Sequence, residues 1–167
     1  MKDTTEIRVC PACGKEMHKI YISSVKCNLD VCLDGCGGIY FDNLEFKKVD
    51  EGHEDISELI EALEGREFVK VDESQTRYCP SCGAPMVKNF ASAKHEVEVD
   101  TCYSCGGIFL DGGELLKIRS QFKTEADRAA HFNKMFMDNF SSEMGPLDET
   151  TKARVQRIES IGRLFIR

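Results

Sequence analysis

The sequence predicts a small α+β protein built from two tandem ribbons of short antiparallel strands, each followed by a helix, with further helices at the C-terminus. The pattern Cys-Pro-x-Cys-Gly occurs at 10–14 and again at 79–83, and every matched cysteine recurs after 69 or 70 residues. Between these turns, apolar and polar residues alternate with the two-residue period of a half-buried strand. A short apolar run followed by Asp-x-x-Glu closes each copy and indicates the start of a helix. The chain therefore carries an internal duplication.

Four cysteines in the second copy have the spacing of ligands for one tetrahedral metal ion. Cys79 and Cys82 form one C-x-x-C pair, Cys102 and Cys105 form another, and nineteen residues separate the pairs. Two cysteines three residues apart reach one ion from a tight turn, and the glycine after each pair permits the left-handed backbone of such a turn. The intervening residues suffice for a strand out and a strand back. We therefore expect a metal site here.

The matching ligands in the first copy are Cys10, Cys13, Cys32 and Cys36. Its second pair is one residue longer than that of the second copy, and Gly35 would let the turn absorb the extra residue. The ninth cysteine, Cys27, aligns with Val97 and is predicted to be a small buried apolar residue. The longer spacing leaves open the alternative that Cys27 replaces Cys32 as a ligand.

Nine cysteines in 167 residues would also suit disulfides, which require an oxidising compartment. The N-terminal residues Met1–Glu6 precede no apolar run, so we expect no signal peptide, and no stretch is long and apolar enough to span a bilayer. Reduced, metal-bound thiols and a cytoplasmic location are therefore expected, and association with a membrane is not.

The strands are predicted from alternation and from short apolar runs. They are expected at Met17–Ile22, Val25–Val31, 95–101, Ile39–Phe41 and Ile108–Leu110, with a further one at Phe68–Val71. Helices are expected after the Asp-x-x-Glu motifs at Asp42 and Asp111, with the aspartate as N-cap, and at Asp55–Gly65. The predicted domains are a first ribbon with its helix (1–50), an acidic helical connector (51–74), a second ribbon with its helix (75–120) and a C-terminal helical region (121–167).

The charge is unevenly distributed along the chain. The net charge of −7 argues against coating nucleic acid by bulk electrostatics. The segment Asp42–Glu73 holds twelve acids and four bases, whereas Thr150–Arg167 holds five bases and one acid. A last helix, Asp148–Ile166, places four apolar residues on one side: Val155, Ile158, Ile161 and Phe165. This helix is predicted to pack on the ribbons or to mediate self-association.

Both copies resemble the zinc-ribbon family named after the N-terminal ribbon of transcription factor IIB. The resemblance covers about Val9–Val49 and Tyr78–Ile118 and is carried by the cysteine pairs, the double glycine Gly106-Gly107 and the Asp-x-x-Glu motif. It implies a zinc-ribbon fold with zinc held by the eight paired cysteines. The first copy departs from the family pattern by its extra residue, and both copies have another aromatic residue where the family usually has tryptophan. The resemblance says little about partners.

Two functions are compatible with these features. A non-catalytic protein-interaction module fits best, because four cysteines leave no open coordination position on the metal. Nucleic acid would have to bind through local basic residues of the second ribbon, namely Lys88, Lys94 and His95 beside Phe90. The alternative is a rubredoxin-like redox protein, since iron accepts the same ligands. No nucleophile–base pair, phosphate loop or histidine-based catalytic metal motif is present, so no enzyme is predicted.

Overall fold

The computed structural model describes residues 6–50, 52–91, 96–121, 126–127, 129–131 and 134. The chain divides into two compact units, one ending at Glu125 and the other beginning at Ala126. The described residues of the second unit are helical, and the predicted helix at Asp148–Ile166 lies outside the described part. Within the described ranges, no helix has the length and apolar character needed to cross a membrane.

The first unit is organised on one antiparallel sheet of six strands, in the order β1-β2-β3-β6-β5-β4. The first copy supplies three of them: β1 (His18–Ile22), β2 (Cys27–Val31) and β3 (Ile39–Phe41). The second copy supplies the other three: β4 (Val87–Phe90), β5 (Glu98–Thr101) and β6 (Ile108–Leu110). Each copy is thus a ribbon of three short antiparallel strands, as the predicted fold class requires, although no strand is predicted at β4.

The two ribbons join edge to edge through β3 and β6. These strands pair antiparallel, with Tyr40 directly opposite Phe109. All three residues of β3 are buried. An isolated ribbon would leave the backbone groups and apolar side chains of this edge unpaired, and edge-to-edge pairing satisfies both. The duplication predicts the two ribbons but does not predict this junction.

The sheet buries a different cluster on each face, because successive side chains of a strand point to opposite sides. One face, here called the helix-side core, contains Leu29, Val31, Ile39, Phe41, Val99 and Leu110 together with residues of the helices. The other face, the cysteine-side layer, contains Tyr40, Phe109, Met17, Met86, Cys10, Cys32, Cys36, Cys79 and Cys102. Residues of both copies contribute to both clusters.

The helices cover the helix-side core. Helix α1 (Ser57–Leu63) buries Leu59, and helix α2 (Glu114–Ser120) buries Leu115 and Ile118. In the first copy only a one-turn 3₁₀ helix, Phe46–Lys48, follows the ribbon. Its apolar pattern stops at Val49, and Gly52 disfavours continuation of a helix. Helix α1 ends at Leu63, and Gly65, with φ +69°, follows its C-cap Glu64. This agrees with the prediction that Gly65 stops the helix.

Two local predictions are wrong. The backbone N–H groups of Asp42 and Asp111 donate to Glu45 Oε2 and Glu114 Oε2 at 2.8 and 2.7 Å, as in a capping box. Neither aspartate is the N-cap, however: Glu45 and Gly113 hold those positions, and each aspartate carboxylate binds an arginine. The stretch Phe68–Val71 forms no strand.

Candidate metal centres

The fold assembles two groups of four cysteine sulfurs. The Sγ atoms of Cys10, Cys13, Cys32 and Cys36 all lie within 4.8 Å of one another, and so do those of Cys79, Cys82, Cys102 and Cys105. Contacting sulfur pairs lie 3.4 and 3.5 Å apart in the first copy and 3.5 Å apart, twice, in the second. A tetrahedral ion with metal–sulfur bonds of about 2.3 Å implies sulfur–sulfur separations of about 3.8 Å. Both groups therefore fit a four-coordinate metal ion.

Left-handed glycines shape the turns that present these sulfurs. Gly14, Gly37, Gly83 and Gly106 have φ between +72° and +79°. In the second copy, the N–H of Gly83 donates to the carbonyl of Cys79, and the N–H of Gly106 donates to that of Cys102, each at 2.8 Å. A side chain would strain this backbone, which explains the glycine after each pair.

In the longer turn of the first copy, Gly35 packs directly against the cysteine sulfurs. A Cβ on Gly35 would lie 2.7 Å from the sulfurs of both Cys13 and Cys32, so a larger residue does not fit there. The Gly35 carbonyl also accepts a hydrogen bond of 2.9 Å from the N–H of Val69. The extra residue is thus accommodated without displacing Cys32 from the sulfur group.

Cys27 is located away from both sulfur groups. It lies on β2 opposite Ile22, is only 5 % exposed and belongs to the helix-side core. Its side chain therefore packs as the apolar residue that the alignment with Val97 predicts.

Hydrogen bonds make the thiols unequal in acidity. The hydrogen bond from Cys10 lowers the pKa of Cys36 to about 6, and the same bond together with burial raises the pKa of Cys10. In the second copy, a backbone hydrogen bond at Ala84 is the main cause that lowers the pKa of Cys82 to about 7. Four thiolates are needed to bind one ion, so metal binding releases protons and weakens in acid.

A buried arginine binds two aspartates in each ribbon, and the sequence patterns described above do not predict it. Arg77 is 2 % exposed and donates to Asp100 at 2.9 Å and to Asp111 at 2.8 Å. Arg8 does the same in the first copy, between Asp30 and Asp42. Each arginine precedes the first cysteine of its copy by two residues. This repeated position is the sequence signal from which the two buried arginines could have been predicted.

Each double glycine makes room for an aromatic ring of the other copy. A Cβ on Gly107 would lie 2.0 Å from the Tyr40 hydroxyl oxygen, and a Cβ on Gly38 would lie 2.4 Å from Phe109 Cζ. The first glycine of each pair thus supplies a left-handed turn, whereas the second permits close approach of the rings at the β3–β6 junction.

The aromatic pair at this junction also touches the sulfurs. The Tyr40 hydroxyl lies 3.3 Å from Cys79 Sγ and 3.8 Å from Cys105 Sγ. Burial and the hydrogen bond to Cys79 raise the pKa of Tyr40 above its usual value. The hydroxyl therefore keeps its proton at neutral pH and is able to donate a hydrogen bond.

The basic residues predicted for nucleic acid do not form a basic surface among the described residues. Lys88 lies 3.7 Å from the Asp100 carboxylate, and Lys94 and His95 lie outside the described ranges. Lys88 and Phe90 line a cleft of about 550 Å³ whose charged residues also include one more lysine and four glutamates: Lys117, Glu73, Glu96, Glu98 and Glu114. Acids outnumber bases around it.

The chain matches a known protein family. The sequence model of the family described as "Transcription factor zinc-finger" matches residues 9–51 and 78–121, which together make up more than half of the chain. Each matched segment contains one group of four cysteines. No curated protein and no solved structure matched the chain.

Proposed function

This chain belongs to the transcription factor zinc-finger family, and from that membership we propose that it is a non-catalytic protein that carries two structural zinc ions and acts as a protein-interaction module. The two compact four-sulfur groups carry the proposal. In it, Cys10, Cys13, Cys32 and Cys36 hold one ion, and Cys79, Cys82, Cys102 and Cys105 hold the other.

Each proposed site is closed. Four thiolates fill a tetrahedral coordination sphere, which leaves no position for a substrate or an activated water. The ion would instead tie the two turns of a ribbon together and supply folding free energy that short strands lack. This argument supports a structural role for the metal.

Iron is the alternative metal. A four-cysteine site also holds iron in redox proteins, and the ligand type alone separates the two metals poorly. Family membership favours zinc.

The surface of the second ribbon supports a protein partner. Three large aromatic side chains are mostly exposed: Tyr78 at 62 %, Phe90 at 51 % and Tyr103 at 73 %. Tyr103 donates a hydrogen bond of 3.0 Å to Asn89 of β4, a strand at the edge of the sheet. Exposed aromatic residues are typical of protein interfaces, and the excess of glutamates nearby disfavours nucleic acid.

Self-association is a further version of this role, and it rests on the sequence of the tail. Thr150–Arg167 is basic and carries an apolar stripe at helical spacing, whereas the connector before the second ribbon is acidic. Deletion of residues 150–167 should lower the mass seen by light scattering while both metals stay bound. A wild-type chain that is monomeric at high concentration would rule out this version.

Metal analysis of the natively purified protein tests the main proposal. We expect two zinc ions per chain and a colourless solution, whereas ferric thiolate sites would be red. Cys32→Ser should remove one ion, and the matched variant Cys27→Ser should retain both. A single ion in the wild-type chain would contradict the two-site assignment.

A further inference from the structure

Tyr40 belongs to the first ribbon but reaches the sulfurs of the second. Its side chain is fully buried, and its hydroxyl contacts Cys79 Sγ at 3.3 Å and Cys105 Sγ at 3.8 Å. A metal-bound thiolate has no proton to give, and a phenol with a pKa of about 10 is protonated at neutral pH. The hydroxyl must therefore donate and the sulfurs accept.

The ring is held in place from three sides. The guanidinium of Arg8 lies over it, 5.0 Å from the ring centre, and Arg8 is itself held by Asp30 and Asp42. The strand pair with Phe109 fixes the backbone of Tyr40. Gly107 leaves just enough space for the hydroxyl. This contact therefore uses residues of both copies.

The first copy's sulfur group has no equivalent donor from this position. Phe109 occupies the symmetric place, stacks with Arg77 at 5.0 Å and lies against Gly38, but it has no hydroxyl. This position thus supplies a hydroxyl to the sulfurs of the second site and none to those of the first.

We propose that Tyr40 is a positioning residue for the second copy's metal site, where its hydroxyl donates its one hydrogen to the nearer thiolate, Cys79, with Cys105 as the second acceptor, and slows loss of the ion. The proposal rests on the metal binding proposed above. A divalent ion with four thiolates keeps net negative charge, and a buried donor offsets part of it. Groups that hydrogen-bond to ligands commonly change metal affinity about 10- to 100-fold.

Cadmium NMR of the full chain loaded with cadmium tests this role. Two cadmium resonances are expected, each assigned through its couplings to the β-protons of its own cysteines. Tyr40→Phe keeps the ring and the Arg8 contact and removes only the oxygen. It should shift the resonance of the second-copy site, leave the other in place and speed cadmium transfer from that site to a chelator by roughly 10-fold. Tyr21→Phe, at a tyrosine that is 53 % exposed, is the matched control and should change neither property.

The outcomes separate the two proposals. Fewer than two cadmium resonances in the wild-type chain would overturn the two-metal assignment and this inference with it. Two resonances that Tyr40→Phe leaves unmoved, an equal shift of both, or an unchanged rate of transfer would overturn the role of Tyr40 alone.

Discussion

At the scale of single residues, a buried arginine binds two aspartates in each copy. Arg77 is enclosed with two aspartates that are themselves at most 6 % exposed. Burial raises the pKa of Asp100, and the charges of Arg77 and Lys88 oppose that rise. Buried carboxylates without a cation are costly, so the arginine and its two acids form one unit. The same unit in the first copy is more open, since the side chain of Asp42 is 20 % exposed.

Arg77→Met should therefore lower the free energy of unfolding by about 3–5 kcal/mol, the usual cost of removing one partner from a buried ion pair. Arg8→Met should cost less, because water can reach Asp42. Urea unfolding of the metal-loaded protein measures both. Arg66→Met is the control: this pair with Asp34 is exposed and should be worth about 0–1 kcal/mol. Equal losses for Arg77→Met and Arg66→Met would contradict the role given to burial.

At the scale of elements, the sequence predicts those strands and turns that are determined by residues close together in the chain. The strands Ile39–Phe41 and Ile108–Leu110 occur as predicted because each apolar run is bounded by a turn and an Asp-x-x-Glu motif. The grouping of the cysteines follows from their spacing and from the glycines that follow them. The close approach of Tyr40 to Gly107 could not be predicted, because it depends on strand pairing between copies far apart in sequence.

Glu114, the first residue of helix α2, should make the stability of the fold depend on pH. Burial is the main cause that raises the pKa of Glu114 to about 7, and the nearby carboxylates of Asp111 and Glu73 add to it. In the unfolded chain, a glutamate has a pKa of about 4.3. Folding thus favours the protonated form, so this contribution to stability is full below the unfolded pKa and is lost as pH rises through about 7.

Glu114→Gln should therefore reduce the loss of stability between about pH 6 and pH 8, a range in which the unfolded glutamate is ionised. Unfolding by urea with saturating zinc, repeated across this range, gives the slope of stability against pH. Glu98→Gln, at an exposed glutamate of the same cleft, is the control for removing one charge. A Glu114→Gln slope equal to the wild-type slope would show that Glu114 does not titrate in this way.

At the scale of the whole first unit, the two ribbons are joined through the pairing of β3 with β6. The duplication alone predicts that each copy closes its own strands and that loss of the second site spares the first ribbon. The structure instead builds one sheet through β3 and β6 and shares both buried clusters between the copies. We therefore expect that unfolding of one ribbon exposes buried residues against which the other ribbon packs.

The double variant Cys82→Ser, Cys102→Ser tests this coupling. It removes two proposed ligands of the second site but leaves Cys79 and Cys105, the sulfurs that Tyr40 contacts. Without its ion the second ribbon should lose its turns, and β6 should then no longer hold β3. We expect weaker amide protection from hydrogen exchange at Ile39–Phe41 and faster metal loss from the first site. Ser81→Ala, at an exposed position in the same turn, should leave both unchanged. Unaltered protection of Ile39–Phe41 in the double variant would instead mean that each ribbon folds alone, with the β3–β6 contact adding no cooperativity.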